Sequence, residues 1–139
     1  MVPAEYRRAE EFFVRFLEDA MKASGLSTIN QSYTMVQGVL QAFRRRIEIK
    51  DAIRFAGVLP VGARALFVAD WDPDETIVPF GDRGAMTREA QALRSNHNFS
   101  PDNAIRSVAI ALRRNVDEQA FDRVLARLPR DAAAFWSVE

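Results

Sequence analysis

The sequence predicts an all-α fold of about eight helices, arranged as two pseudo-repeats in one compact helical bundle. Three observations carry that expectation. Apolar residues recur at spacings of three and four through most of the chain. Helix start and stop residues punctuate these runs. A stretch near the middle, residues 35–67, returns without a gap at residues 104–136. The 139 residues suit a single domain spanning 1–139, with repeat 1 at about 8–69, a loop at 70–84 and repeat 2 at about 85–137.

The first helix is marked by Phe12, Phe13, Phe16, Leu17, Ala20 and Met21 on one face, the spacing of a core-facing stripe. Glu11 with Arg15 and Glu18 with Lys22 are acidic-then-basic pairs four apart on the opposite side. Gly25 ends it, since glycine accepts the left-handed conformation of a helix stop. A second helix runs from about Asn30 to Ile47, with Met35, Val39, Phe43 and Ile47 in one row. A third covers roughly Glu48 to Val58. Leu59-Pro60 then opens a fourth, with proline expected at the first helical position. Asp70 to Gly84 holds two prolines, two glycines and five acidic residues, and reads as the one long loop. A short helix is expected from Met86 to Leu93. Ser100-Pro101-Asp102 then reads as a cap, a first helical residue and an acidic first turn for the next helix.

The offset of 69 residues aligns 35–67 with 104–136 and matches nine of 33 positions. The identities are Val39/Val108, Ala42/Ala111, Arg44/Arg113, Arg45/Arg114, Arg54/Arg123, Leu59/Leu128, Pro60/Pro129, Ala63/Ala132 and Ala65/Ala134. Phe43/Leu112, Ile47/Val116, Leu66/Phe135 and Phe67/Trp136 keep apolar bulk. Such self-similarity marks one supersecondary unit used twice, and two copies close on each other more readily than they form an open solenoid. Phe43, Ile47, Leu59, Leu112, Val116, Val124 and Leu128 are the expected core.

The order of an apolar helix, Arg-Arg, an acidic residue, a second helix, Leu-Pro, a short helix and then Trp71-Asp72-Pro73 resembles the bacterial family known as domain of unknown function 2267. The resemblance runs from Glu10-Glu11-Phe12 through Leu128-Pro129. Its most specific element is the pair of Leu-Pro motifs with Trp-x-Pro after the first. It implies the fold and brings no catalytic residue with it.

Composition narrows the function. Nineteen basic and nineteen acidic side chains cancel, so no global positive field draws nucleic acid or an anionic membrane. Residues 1–69 carry ten basic and seven acidic groups, residues 70–139 nine and twelve. Without cysteine there is no disulfide framework, thiol nucleophile or cysteine-held zinc. No run approaches the ~20 apolar residues of a membrane span, and the N-terminus lacks a signal-peptide apolar core. The chain reads as soluble, untargeted and cytoplasmic.

Arg44, Arg45, Arg113 and Arg114 are the candidate binding residues, because the pair is kept at both helix ends and arginine forks suit phosphate or carboxylate. On the structural reading they complement the negative ends of their own helices. The acidic stretch Asp70-Trp71-Asp72-Pro73-Asp74-Glu75 offers alternate carboxylates for a cation, but it has Glu75 and Gly81 where an EF-hand loop needs glycine and glutamate. Lys50 to Val58 has the look of a helix-turn-helix entry, against which the neutral charge weighs. His97 is the single histidine and cannot build a zinc site alone. No nucleophile–base pair, phosphate-binding glycine loop, metal site or cofactor motif is visible. The reading is therefore a non-catalytic binding or regulatory module, its partner a protein or a small anion. A metal- or anion-dependent enzyme on the 70–75 loop and a nucleic-acid-binding protein using the arginines are the alternatives.

Overall fold

The computed structural model describes residues 1–138. Among them the chain is all-helical, with nine α-helices, one 3-10 turn and no strand. In order these are α1 (Ala4–Arg7), α2 (Ala9–Ser24), α3 (Ile29–Arg44), α4 (Ile49–Ala56), α5 (Val61–Val68), α6 (Arg83–Ala92), the 3-10 turn Ser95–His97, α7 (Ala104–Arg114), α8 (Glu118–Ala126) and α9 (Arg130–Phe135). The helix beyond those expected is the single turn α1. No helix is long and apolar enough to cross a membrane.

α2 buries Phe16, Leu17 and Ala20 and leaves Phe12 and Phe13 half-buried at its edge. Gly25 closes it at φ 84, donating its N–H to the Met21 carbonyl. α3 opens on a capping box: Thr28 accepts from the Gln31 N–H at 3.1 Å, and the Gln31 side chain accepts from the Thr28 N–H at 3.2 Å. Its Met35, Val36, Val39, Leu40 and Phe43 are all buried, which makes it the central helix. Gly38 lets α6 lie directly on it, since a Cβ there would stand 2.5 Å from the Ala90 carbonyl oxygen. α2 packs on α3 and α7, and α6 covers the other side of α3.

A ring cluster forms the middle of the core. Phe43 meets Phe55 at 4.7 Å, Phe135 at 5.1 Å and Trp136 at 5.2 Å between centroids. Phe55 stacks on Trp136 at 5.5 Å and touches Phe67 and Phe121. Rings from 35–67 and from 104–136 thus share one core. Helix starts keep the offset of 69 as well: Ile49 with Glu118, and Val61 with Arg130. Pro60 (φ −57, ψ 154) and Pro129 (φ −54, ψ 151) hold the same conformation. Each sits one residue before its helix rather than at the first helical position.

Two expectations are corrected. Ser100 does not cap α7. Asn98 accepts from the Ser100 N–H and Gln91 donates to the Ser100 carbonyl and to Asp102. Tied to α6 in this way, the chain spends residues 101–103 on a turn, and the helix begins at Ala104. Val116 and Val124 are only half-buried, while Phe43, Ile47, Leu59, Leu112 and Leu128 are buried. α8 instead turns Phe121 and Leu125 inward. The large ring therefore falls at Phe55 in one half, opposite Val124 in the 69-residue register, and at Phe121 in the other, opposite Ala52.

Truncation at the ring cluster removes contact area that nothing nearby can refill. Phe43→Ala and Leu112→Ala are expected to cost about 2–5 kcal/mol each in urea unfolding, whereas Val116→Ala should cost less than about 1 kcal/mol. Gly38→Ala meets a backbone carbonyl rather than a flexible side chain, and should destabilise by about 1–3 kcal/mol in the same assay.

Candidate functional site

The candidate arginines occupy four different environments. Arg44 is buried, 6% exposed. Its Nη1 donates to the Phe67 carbonyl at 2.9 Å and the Ala69 carbonyl at 2.7 Å, and its guanidinium lies over the Trp71 ring at 5.6 Å. Arg113 repeats the first bond, its Nε donating to the Trp136 carbonyl at 3.2 Å, with its guanidinium 5.3 Å from the Phe121 ring. Its Nη1 also meets Glu118 at 3.2 Å and Asp122 at 2.9 Å. Both residues satisfy carbonyls at the end of another helix, α5 or α9, rather than the end of their own. A helix leaves its last carbonyls without internal partners, and a fork of donors from a neighbour supplies them. Arg64 does the same for Ala56 and Leu59 at the end of α4, and Arg83 for Ala134, Phe135 and Ser137 around the end of α9.

Arg45 and Arg46 share Glu89 of α6: Arg45 Nη1 at 2.9 Å, and Arg46 as a two-pronged fork at 3.0 and 2.7 Å. Burial alone would push the Glu89 carboxyl up, but the hydrogen bonds and charges of Arg46 and Arg45 outweigh it and hold the group below its ordinary value. Burial lowers the Arg44 pKa, with Glu75 and Asp70 partly offsetting the effect through space. An anion site built on all four arginines would need exposed, free donors at each of them. Only Arg114 shows them: it is exposed and has no partner among the described residues.

The acidic loop does not gather its carboxylates. Asp72 accepts from the Asp74 N–H at 2.9 Å in a local turn, and Glu75 faces Arg45 at 3.8 Å. Among the described residues no three histidine, aspartate or glutamate side chains come together to hold a metal ion. Asp70 adopts the left-handed conformation, φ 57, which aspartate tolerates better than most residues. The reversal leads into Trp71, which lies over Arg44 and against Phe67. His97 lies exposed in the 3-10 turn.

Arg114 belongs to a groove of about 540 Å³ between α2, the α4–α5 junction and the α7–α8 junction. Phe12, Val58 and Val116 line it as apolar wall and Arg15 and Arg64 as further cations, while Asp19 and Asp117 are carboxylates already engaged and Glu5 is a third. Asp19 accepts from Asn115 at 2.8 Å, and Asp117 caps α8 through the Ala120 N–H at 3.1 Å. Pro60 and Val61 also line it, placing the start of α5 there without any side-chain cap. This groove was invisible in the sequence, because its walls come from segments up to a hundred residues apart.

A family model described as "Uncharacterized conserved protein (DUF2267)" matches residues 13–135. The chain belongs to the DUF2267 family. No curated protein matches the sequence. The DUF2267 match takes in both Leu-Pro motifs, Trp71-Asp72-Pro73 and all four candidate arginines. In this DUF2267 chain the Trp-x-Pro segment thus serves to cover a buried arginine.

The Glu89 fork has a pH signature. A carboxylate whose folded pKa is depressed contributes stability above its unfolded value, near 4.5, and loses it as pH falls through the folded value. Glu89→Gln is expected to be less stable than the natural chain at neutral pH. Followed by urea unfolding from about pH 6 to about pH 3, it should lose less stability on acidification than the natural chain does. Parallel curves would show that Glu89 carries none of that dependence.

Proposed function

We propose that this protein is a non-catalytic binding module that takes a small, partly apolar anion in the groove at Arg114. The observation that carries this reading is the state of Arg114. Of the four candidate arginines it has no partner among the described residues, and it lines a groove with apolar walls. Two features support an anion there. The start of α5, with no side-chain cap, lies at the groove and brings the positive end of the helix dipole there. Of the three carboxylates lining the groove, Asp19 and Asp117 are engaged by Asn115 and by the α8 backbone, and neither Glu5 nor these two forms an ion pair with Arg114 among the described residues. Phe12, Val58 and Val116 offer the non-polar part of a ligand a surface to cover.

Calorimetric titration with phosphate, sulfate and a nucleoside monophosphate tests the reading. The nucleotide, which pairs an anion with a flat apolar body, is expected to bind most tightly. Arg114→Ala should weaken it by about tenfold or more, as loss of a charge-assisted contact does, without changing the circular dichroism. Equal binding by the variant, or no anion bound more tightly than about 10 mM, would remove the groove from consideration.

A further inference from the structure

A second site follows from a mismatch between the two halves. Arg113 finds carboxylates five and nine residues downstream, at Glu118 and Asp122 on α8. Five and nine residues downstream of Arg44 stand Ile49 and Ile53 on α4, 47% and 68% exposed. Arg44 meanwhile is the more deeply buried of the two arginines, and no carboxylate pairs with it among the described residues. A buried guanidinium is costly unless a counter-charge accompanies it.

The space beside it is open. Two adjoining cavities, about 310 and 220 Å³, share Arg44, Arg45 and Glu75 in their linings. The smaller has apolar walls, including Ile47, Ile49, Trp71 and Ile77, together with Glu48, whose carboxylate pairs with Lys50 at 3.3 Å. Arg44 has engaged one nitrogen of its fork, Nη1, with the Phe67 and Ala69 carbonyls. Arg45 Nε is buried without an acceptor. Glu75 approaches Arg45 only to 3.8 Å, so it screens the cations without closing a hydrogen bond. The loop carrying it is anchored just beyond, by the Val78 N–H on the Arg45 carbonyl and by Arg46 Nε on the Pro79 carbonyl.

We infer that this cavity binds a small monocarboxylic acid, whose carboxylate pairs with Arg44 beside Arg45 and whose apolar body lies against Ile49, Trp71 and Ile77. The ligand supplies the counter-charge that Glu118 and Asp122 supply to Arg113. A monoanion fits better than phosphate, because Glu89 already neutralises much of Arg45 and Arg46, and Glu75 repels a second negative charge. The site goes beyond the Arg114 groove and shares no lining residue with it.

The test puts the missing carboxylates into the chain. Benzoate, butyrate, butyramide and phosphate are titrated by calorimetry and by thermal shift into the natural protein, the double variant Ile49→Glu/Ile53→Asp and its neutral counterpart Ile49→Gln/Ile53→Asn. Both carboxylates are expected to bind the natural protein at least about tenfold more tightly than butyramide or phosphate do. The acidic variant should have a higher Tm without ligand and bind benzoate about tenfold or more weakly. The neutral variant should bind within about threefold of the natural protein. The inference is overturned if the acidic variant binds benzoate as well as the natural protein does. It is equally overturned if the neutral variant loses binding to the same degree, or if phosphate or butyramide matches benzoate. The same comparison repeated with Arg114→Ala added to each protein should give the same ratios, because the groove's cation is then gone and the remaining benzoate binding reports on the Arg44 cavity.

Discussion

The structure depends on Phe43. Its ring sits where α3 meets α4, α5 and α9, in contact with Phe55, Phe67, Phe135 and Trp136. Aromatic pairs at these separations add a contribution beyond their buried area. Because Phe55 stacks on Trp136 and touches Phe121, the cluster joins residues more than sixty positions apart. The Leu-Pro helices deliver three rings to it, Phe67 from α5, Phe135 from the end of α9 and Trp136 just after it. The rings of 35–67 and of 104–136 therefore cover one another.

Packing short helices end-on against that cluster creates a second constraint. The carbonyls that finish α4, α5 and α9 lie near the protein interior, where water does not serve them well. Arg64, Arg44, Arg83 and Arg113 bring donors to them from other elements. Lysine could supply the charge, but not a planar fork able to span several oxygens. Four of the seventeen arginines thus serve the ends of helices other than their own. Two of the repeated arginines keep unspent chemistry: Arg114, exposed and without a partner among the described residues, and Arg44, buried with no carboxylate in bonding contact.

Part of this was legible in the residues. Apolar spacing placed the helices, and Gly25 and the two Leu-Pro steps placed their ends within a residue or so. The capping box at Thr28 and Gln31 was also readable, from a threonine followed three positions on by glutamine before an apolar run. The start of α7 was not, because Ser100 is held by Asn98 and Gln91 from a neighbouring element, a tie that local cap preferences do not register. Likewise Val124 had the right spacing for the core, but α8 is rotated by Phe121, whose ring has already filled the space against Phe55.

By itself the sequence determined the all-α class, the family and the repeated arginine pair, since periodicity, Leu-Pro steps and identity at a fixed offset are local properties of the chain. Tertiary structure alone decided what each arginine does. Identical residues 69 positions apart met different neighbours: carboxylates on α8 for Arg113, bare isoleucines on α4 for Arg44, Glu89 for Arg45 and an open groove for Arg114. A guanidinium is satisfied or left wanting by whatever the fold brings within about 3 Å of it, and that is set by packing between helices distant in the chain.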